Sequence, residues 1–204
     1  MKFALDCPKL FDDATLLGDD RMFPLLYMFP MDNENKVARN SILSALLTLM
    51  RQKKIDDIRI KELCRVAGVS RSTFHRNFES KEQVIELYFD SHFELLFERV
   101  ESLSRKTPNE LYKYYFNFMM HHSELIHLLR INQREHILTQ CMIEYLPYLM
   151  HHNIVLSLDV PTNYEVDYLA NGLSALTFSW ESQNFEETPA QMANIFQLLL
   201  RIAA

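Results

Sequence analysis

Arg59-Ile-Lys-Glu-Leu-Cys-Arg-Val-Ala-Gly-Val-Ser-Arg-Ser-Thr-Phe-His-Arg-Asn-Phe-Glu-Ser-Lys81 reads as two short helices joined by a tight turn. The first is predicted over about Ile60 to Ala67. It stops at Gly68, which permits the left-handed backbone that the turn needs. The second starts at Ser70, a good N-cap, and runs to about Asn77. Ile60, Leu63, Val66, Phe74 and Phe78 are spaced to bury one face, and Val69 plugs the angle between the helices. Arg65, Arg71, Ser72, His75 and Arg76 are left outside. This pattern is a helix-turn-helix. A short helix that opens on Ser70, Arg71, Ser72 and Thr73 can enter a major groove and offer donors to base edges. Ser70 and the helix dipole suit a phosphate.

The charge distribution supports a polyanion partner at the same place. The chain of 204 residues has a net charge of −6, which taken alone argues against nucleic acid. Residues 36–81, however, hold eleven basic and four acidic side chains, net +7, between an acidic leader at −4 and an acidic remainder at −9. A compact basic segment in an acidic protein is the footprint of a polyanion site. A solvated basic helical surface would give the same totals.

Around this core the pattern is helical throughout, which predicts an all-α fold with no strand and no internal repeat. Only three Gly and seven Pro interrupt the chain. Ile42, Leu46, Leu49 and Met50, with Val37, Leu43 and Leu47, give a first helix from Lys36, with Arg51, Lys53 and Lys54 crowding its last turn. Ser80 caps a long fourth helix to about Arg105, and Pro108 opens a fifth. Further helices are expected over about Ser123–Leu129, Ile131–His152, Tyr164–Ser182 and Pro189–Ile202. Pro147 should kink or end the second of these. The expected organisation is a leader at 1–35, a basic helix-turn-helix domain at 36–81 and a helical remainder at 82–204. The leader's uncharged run, Phe23 to Met31, is expected to dock on the body or on a partner subunit. The acidic residues around it could instead pair with the basic head and hold it off DNA.

The residues Ala67-Gly68-Val69-Ser70, then Thr73-Phe74, Phe78 and Lys81, behind an amphipathic first helix, resemble the TetR family of bacterial transcriptional regulators. The resemblance covers about Ser41 to Leu87. It implies an all-helical homodimer whose N-terminal helices bind double-stranded operator DNA and whose C-terminal helices hold a small-molecule effector. It implies Ser70, Thr73 and Lys81 as phosphate or groove contacts, and Arg71 and Ser72 as sequence readers. His75, Arg76 and Asn77 complete the expected DNA-binding set. The stretch from Tyr164 to Trp180, with Thr188 to Ala193, is similar to a TetR branch whose members resemble the dihydroxyacetone-kinase operon activator. The sequence departs from the family at Arg59, where a capping Thr is usual, at His75, usually Tyr, and at Asn77, often His or Tyr. Asp56 or Asp57 could replace the missing cap.

Dimerisation is expected through about 164–202, because these helices are apolar over more than one face and hold small residues at Ala170, Gly172, Ser174 and Ala175. Tyr115, Phe118, Met119, Met142, Tyr145, Phe178 and Trp180 lie in aromatic and Met stripes that fit either a plain core or the wall of an apolar effector cavity. Eight histidines lack metal-site spacing, so no metal and no cofactor is expected. The sequence has no G-x-S-x-G, phosphate loop or Cys-His pairing of an enzyme. Three distant cysteines, no apolar run of membrane length and an acidic N-terminus predict a reduced, cytoplasmic protein. Repression is the family's usual mode, and the tail points to activation. A TetR-like scaffold that works mainly through protein contacts is the alternative.

Overall fold

The computed structural model describes residues 36–102, 107–151 and 162–202, all helix and turn. The leader and the loop at 153–161, with what was expected of them, lie outside the described residues. The helices are α1 (Lys36–Met50), α2 (Ile60–Ala67), α3 (Arg71–Asn77), α4 (Lys81–Ser102), α5 (Pro108–His121), α6 (Ser123–Ile131), α7 (Glu135–His151), α8 (Asn163–Ser182) and α9 (Pro189–Ile202), with a 3-10 turn at Ile55–Asp57. The all-α expectation holds.

Local chemistry sets the helix starts. Ser70 accepts a hydrogen bond from Thr73 N at 3.0 Å, and Ser80 accepts one from Gln83 N at 3.0 Å. Thr107 caps α5 just before Pro108, and Thr162 caps α8. At α9, Thr188 and Gln191 satisfy each other's backbone N–H groups, a reciprocal cap. Helix ends were less legible. α1 stops at Met50, so Arg51, Lys53 and Lys54 fall beyond it. Residues 132–134 form a corner in place of the predicted helix start at Ile131, and Gln133 takes a φ of 58° there. α7 then continues past Pro147 to His151, so the proline does not end the helix. The proline is exposed, while Leu146 and Met150 beside it are buried and anchor the helix.

In the basic head, α1 packs on α2, α3 and α4. Ile42, Leu46, Ile55, Leu63, Phe74, Phe78 and Val84 form its core. In the rest of the chain α5 lies along α9, α7 lies along α8, and α4 packs on α7. α6 touches both α8 and α1, so it bridges the two halves.

Candidate nucleic-acid interface

α2 closes on Gly68 at φ +68°, where any side chain would be strained. Val69 N donates to Cys64 O at 3.0 Å and finishes the turn. The inner face of α2–α3 is Leu63, Cys64, Phe74 and Phe78, all buried; Val66 is 40% exposed, contrary to its expected burial. At about 100° per residue Val66 stands about 60° from Leu63 but about 160° from Cys64, so it falls at the edge of the buried face. Arg59 precedes α2 without a side-chain cap, and Asp56 does not replace it, because its carboxylate pairs with Arg134.

Ser70, Arg71, Ser72, His75 and Arg76 are exposed together on α3, and Thr73 is half-buried. The three hydroxyls are ordered by one another. Ser70 Oγ lies 2.7 Å from Ser72 Oγ and 2.8 Å from Thr73 Oγ1, besides its bond from Thr73 N. The ring of His75 stands edge-on to Phe74 at 5.3 Å. The N-terminal end of α3 thus offers a fixed cluster of donors and acceptors beside a guanidinium.

Two residues predicted to face DNA are turned elsewhere. Asn77 is only 7% exposed. Its Nδ2 donates to Thr73 O at 2.8 Å, and its Oδ1 accepts from Arg39 Nε at 3.1 Å. A buried amide must satisfy both ends internally, and this one does. Lys81 sends its ammonium into the carbonyls that end the 3-10 turn, at 2.5 Å from Ile55 O and 2.9 Å from Ile58 O. It braces the start of α4 against that turn, as a cation does at a helix C-terminus.

The basic excess of the head divides in the same way. Lys53 pairs with Glu62 at 2.5 Å, and Glu62 titrates below its ordinary value chiefly through that hydrogen bond. Arg51 pairs with Glu124 of α6. Arg59, Lys61, Arg65, Arg71 and Arg76 are exposed and have no ion-pair partner among the described residues. All five lie on or beside α2 and α3.

Sequence reasoning missed the seam that joins this head to α6 and α7. Asn132, 4% exposed, accepts from Ile55 N at 2.7 Å and donates to Leu128 O at 2.8 Å. Arg134 pairs with Asp56 and lies 3.7 Å from Glu82. Lys54 donates to Ile131 O. The turn at Ile55–Asp57 is therefore held by α4 through Lys81 and by the α6–α7 corner through Asn132. The only local signal was an Asn after an apolar helix, which marks a stop and not a partner.

The residues proposed as a cavity wall separate into two groups. Phe118 and Tyr145 both pack on Phe93, at 5.6 and 5.5 Å, and the Tyr145 hydroxyl donates to Asp90 O at 2.9 Å. Tyr115 lies 2.7 Å from Thr177 Oγ1 through its hydroxyl, while Trp180 packs on Phe116 and Phe185 and donates to Glu187 O at 3.0 Å. Met119, Met142 and Phe178 are buried in the same core. Near the first group sit polar residues that the sequence reading did not single out for this role. His92 and His122 stack between Tyr88 and Phe118, and burial pushes their rings down to about 4 and about 3. Asp90 is pushed up to about 6, first by burial and then by Glu144. Its Oδ1 and the Tyr112 hydroxyl are buried without a hydrogen-bond partner among the described residues.

A capped recognition helix behind a tight turn, backed by a cationic face, defines a helix-turn-helix DNA-binding domain. Residues 42–91 match the family described as bacterial regulatory proteins, tetR family. The match runs from α1 into α4 and covers about a quarter of the chain. No curated protein matches the chain. The chain therefore carries a TetR-type DNA-binding domain of a transcriptional regulator. Among the described residues no helix is long and apolar enough to cross a membrane.

Proposed function

We propose that the protein is a homodimeric TetR-type regulator, by default a repressor, in which residues 36–81 bind operator DNA and residues 82–204 bind a small effector and form the dimer. The observation that carries the reading is the capped N-terminus of α3 together with five exposed cations on or beside α2 and α3 that have no ion-pair partner among the described residues. In each subunit Ser70, Arg71, Ser72, Thr73, His75 and Arg76 face the groove. Arg71 and Ser72 read bases, while Ser70, Thr73, Arg65 and Arg59 serve the backbone.

Dimerisation would use the apolar side chains that the folded chain leaves exposed. These are Tyr164 and Tyr168 on α8 and Ile195, Leu198 and Leu199 on α9. Leu169, Leu173, Phe178, Trp180 and Phe196 of the same helices are buried within the subunit. An isologous contact of the exposed stripe would place two heads on half-sites ~34–36 Å apart. An effector among the aromatic residues of α4, α5, α7 and α8 would change the head spacing through α4 and through the Asn132 seam. The tail's likeness to the dihydroxyacetone-kinase activator branch would make activation the variant mode.

The test is binding of duplex DNA as a function of salt. A dimer that engages ~6–10 phosphates should lose ~10³–10⁵ in affinity between 50 and 200 mM salt. Selection from random duplexes should enrich a near-palindrome. Salt-insensitive binding, or none at low salt, would defeat the reading.

A further inference from the structure

Four histidines of the body are engaged by the fold. His92, His121 and His122 each commit Nδ1 to the carbonyl four residues back, at 2.8 Å, and His127 Nδ1 lies 2.7 Å from the Glu181 carboxylate. His75, on the recognition helix, is exposed, and its side chain has neither a hydrogen bond nor an ion pair among the described residues. Its one ring contact is edge-on to Phe74, at 5.3 Å and 89°, and Phe74 is fully buried. A fixed ring thus sets the plane of the imidazole and leaves both nitrogens without a protein partner.

The position is the second point. At about 100° per residue, His75 stands about 40° from Arg71 and about 60° from Ser72 on α3. It therefore lies between the two residues read as base contacts, one turn further along. An imidazole there is one donor and one acceptor when neutral, and two donors with a charge when protonated. It is also the side chain that ordinarily changes charge between about pH 5 and 8.

The charges around it decide where its counter-ion comes from. α3 packs on α1 and α2. α1 carries Lys36 and Arg39, and α3 itself carries Arg71 and Arg76. α2 carries Lys61, Arg65, the buried thiol of Cys64 and one carboxylate, Glu62, which Lys53 takes. Glu79 follows in the chain beyond the extended Phe78. These helices bring His75 cations, and no carboxylate that is not already paired. A phosphate beside the ring would favour its charged form.

We propose that His75 is a proton-linked DNA contact, which takes up a proton as the head meets the phosphate backbone, so that this chain holds DNA more tightly as the pH falls toward about 6. The inference rests on the DNA-binding reading above. The sign follows from linkage: a complex that holds more protons than the free protein gains affinity as the pH falls.

The test measures the full chain on one random-sequence duplex at about pH 8 and about pH 6, each across a salt series, for wild type and His75→Gln. Wild type should bind about tenfold more tightly per subunit at the lower pH. Its slope of log affinity against log salt should steepen there by about 0.9 per subunit, the share of one further charge. Gln keeps a donor and cannot charge, so His75→Gln should lose both changes. A wild type whose affinity and slope ignore pH overturns the proposal. So does a His75→Gln protein that keeps the pH response, because another group then carries it. If His75→Gln fails to fold, the wild-type ring decides: the midpoint of its NMR titration should rise on adding duplex, and a midpoint that stays put overturns the proposal. Wild type that binds no duplex at low salt at either pH would refute the DNA-binding reading itself, and this proposal with it.

Discussion

Asn132→Ala should detach the α6–α7 corner from the DNA-binding head. The Asn132 side chain is 4% exposed and makes two hydrogen bonds, one to Ile55 N across 77 positions of sequence and one to Leu128 O. Alanine removes the acceptor of a backbone N–H on a residue that is itself 0% exposed. An unsatisfied buried donor costs about 1–3 kcal/mol, and loss of the second bond adds about 0.5–1.5 kcal/mol. The expected loss is therefore roughly 2–4 kcal/mol, a large part of the ~5–15 kcal/mol stability of an ordinary domain. The neighbouring ion pairs make the contrast. Asp56 is 70% exposed at its side chain, and Arg51 is 47% exposed, so Asp56→Ala and Arg51→Ala should each cost no more than ~1 kcal/mol. Urea denaturation followed by helical circular dichroism gives the three values. Amide exchange at Ile55 localises the effect, because that proton should lose protection in Asn132→Ala before the amides of α1 do. A loss below ~0.5 kcal/mol, or an Ile55 amide as protected as in wild type, would show that water or a neighbouring group replaces Asn132 and that the seam is not the joint described here.

Three further outcomes follow from the same geometry. Arg71→Ala should relax base preference at one operator position by ~1–3 kcal/mol if it reads guanine, whereas Arg65→Ala should weaken every sequence alike; a competition panel with the two effects exchanged would reverse these roles. Leu198→Glu should shift a dimer to monomer in sedimentation with helicity unchanged, because Leu198 is 58% exposed within the subunit; it is a cleaner probe than Gly172→Leu, since a Cβ at Gly172 already meets Phe196 at 3.8 Å and a larger side chain would disturb α9 of the same chain. Asp90→Asn should stabilise the protein at pH 7.5 and lose that advantage as the pH falls to about 4. The native carboxyl, facing Glu86 and Glu94 of its own helix and Glu144 and Cys141 of α7, titrates near 6 against an ordinary 3.8, so its ionised form penalises the folded state above pH 6 and the penalty fades as both states protonate. Equal denaturation midpoints for wild type and variant at pH 7.5 would contradict this sign.

The helix-turn-helix was legible because its determinants are local. Gly68 ends α2 by its own φ, Ser70 caps α3 through a bond to Thr73 three residues on, and the apolar spacing turns Leu63, Phe74 and Phe78 inward. Such features need no knowledge of the rest of the chain. The helix pattern alone likewise carried the all-α fold and most helix starts, since caps and the 3.6-residue period act within one turn or two. The sequence could not say where each polar side chain finds its partner. Lys81 and Asn77 carry the right chemistry for DNA, yet the fold brings the carbonyls of Ile55 and Ile58 to one and the guanidinium of Arg39 to the other. Arg51 and Lys54 belong to the basic excess of residues 36–81, yet α6 supplies Glu124 to one and the Ile131 carbonyl to the other from 73 and 77 positions away. On α8 and α9 the apolar content was plain, but which half is core and which half is surface depends on where α5 and α7 lie. A short-range pattern fixes what a residue can do; burial, and the groups that long-range packing places within about 3 Å, decide which of those capacities it uses.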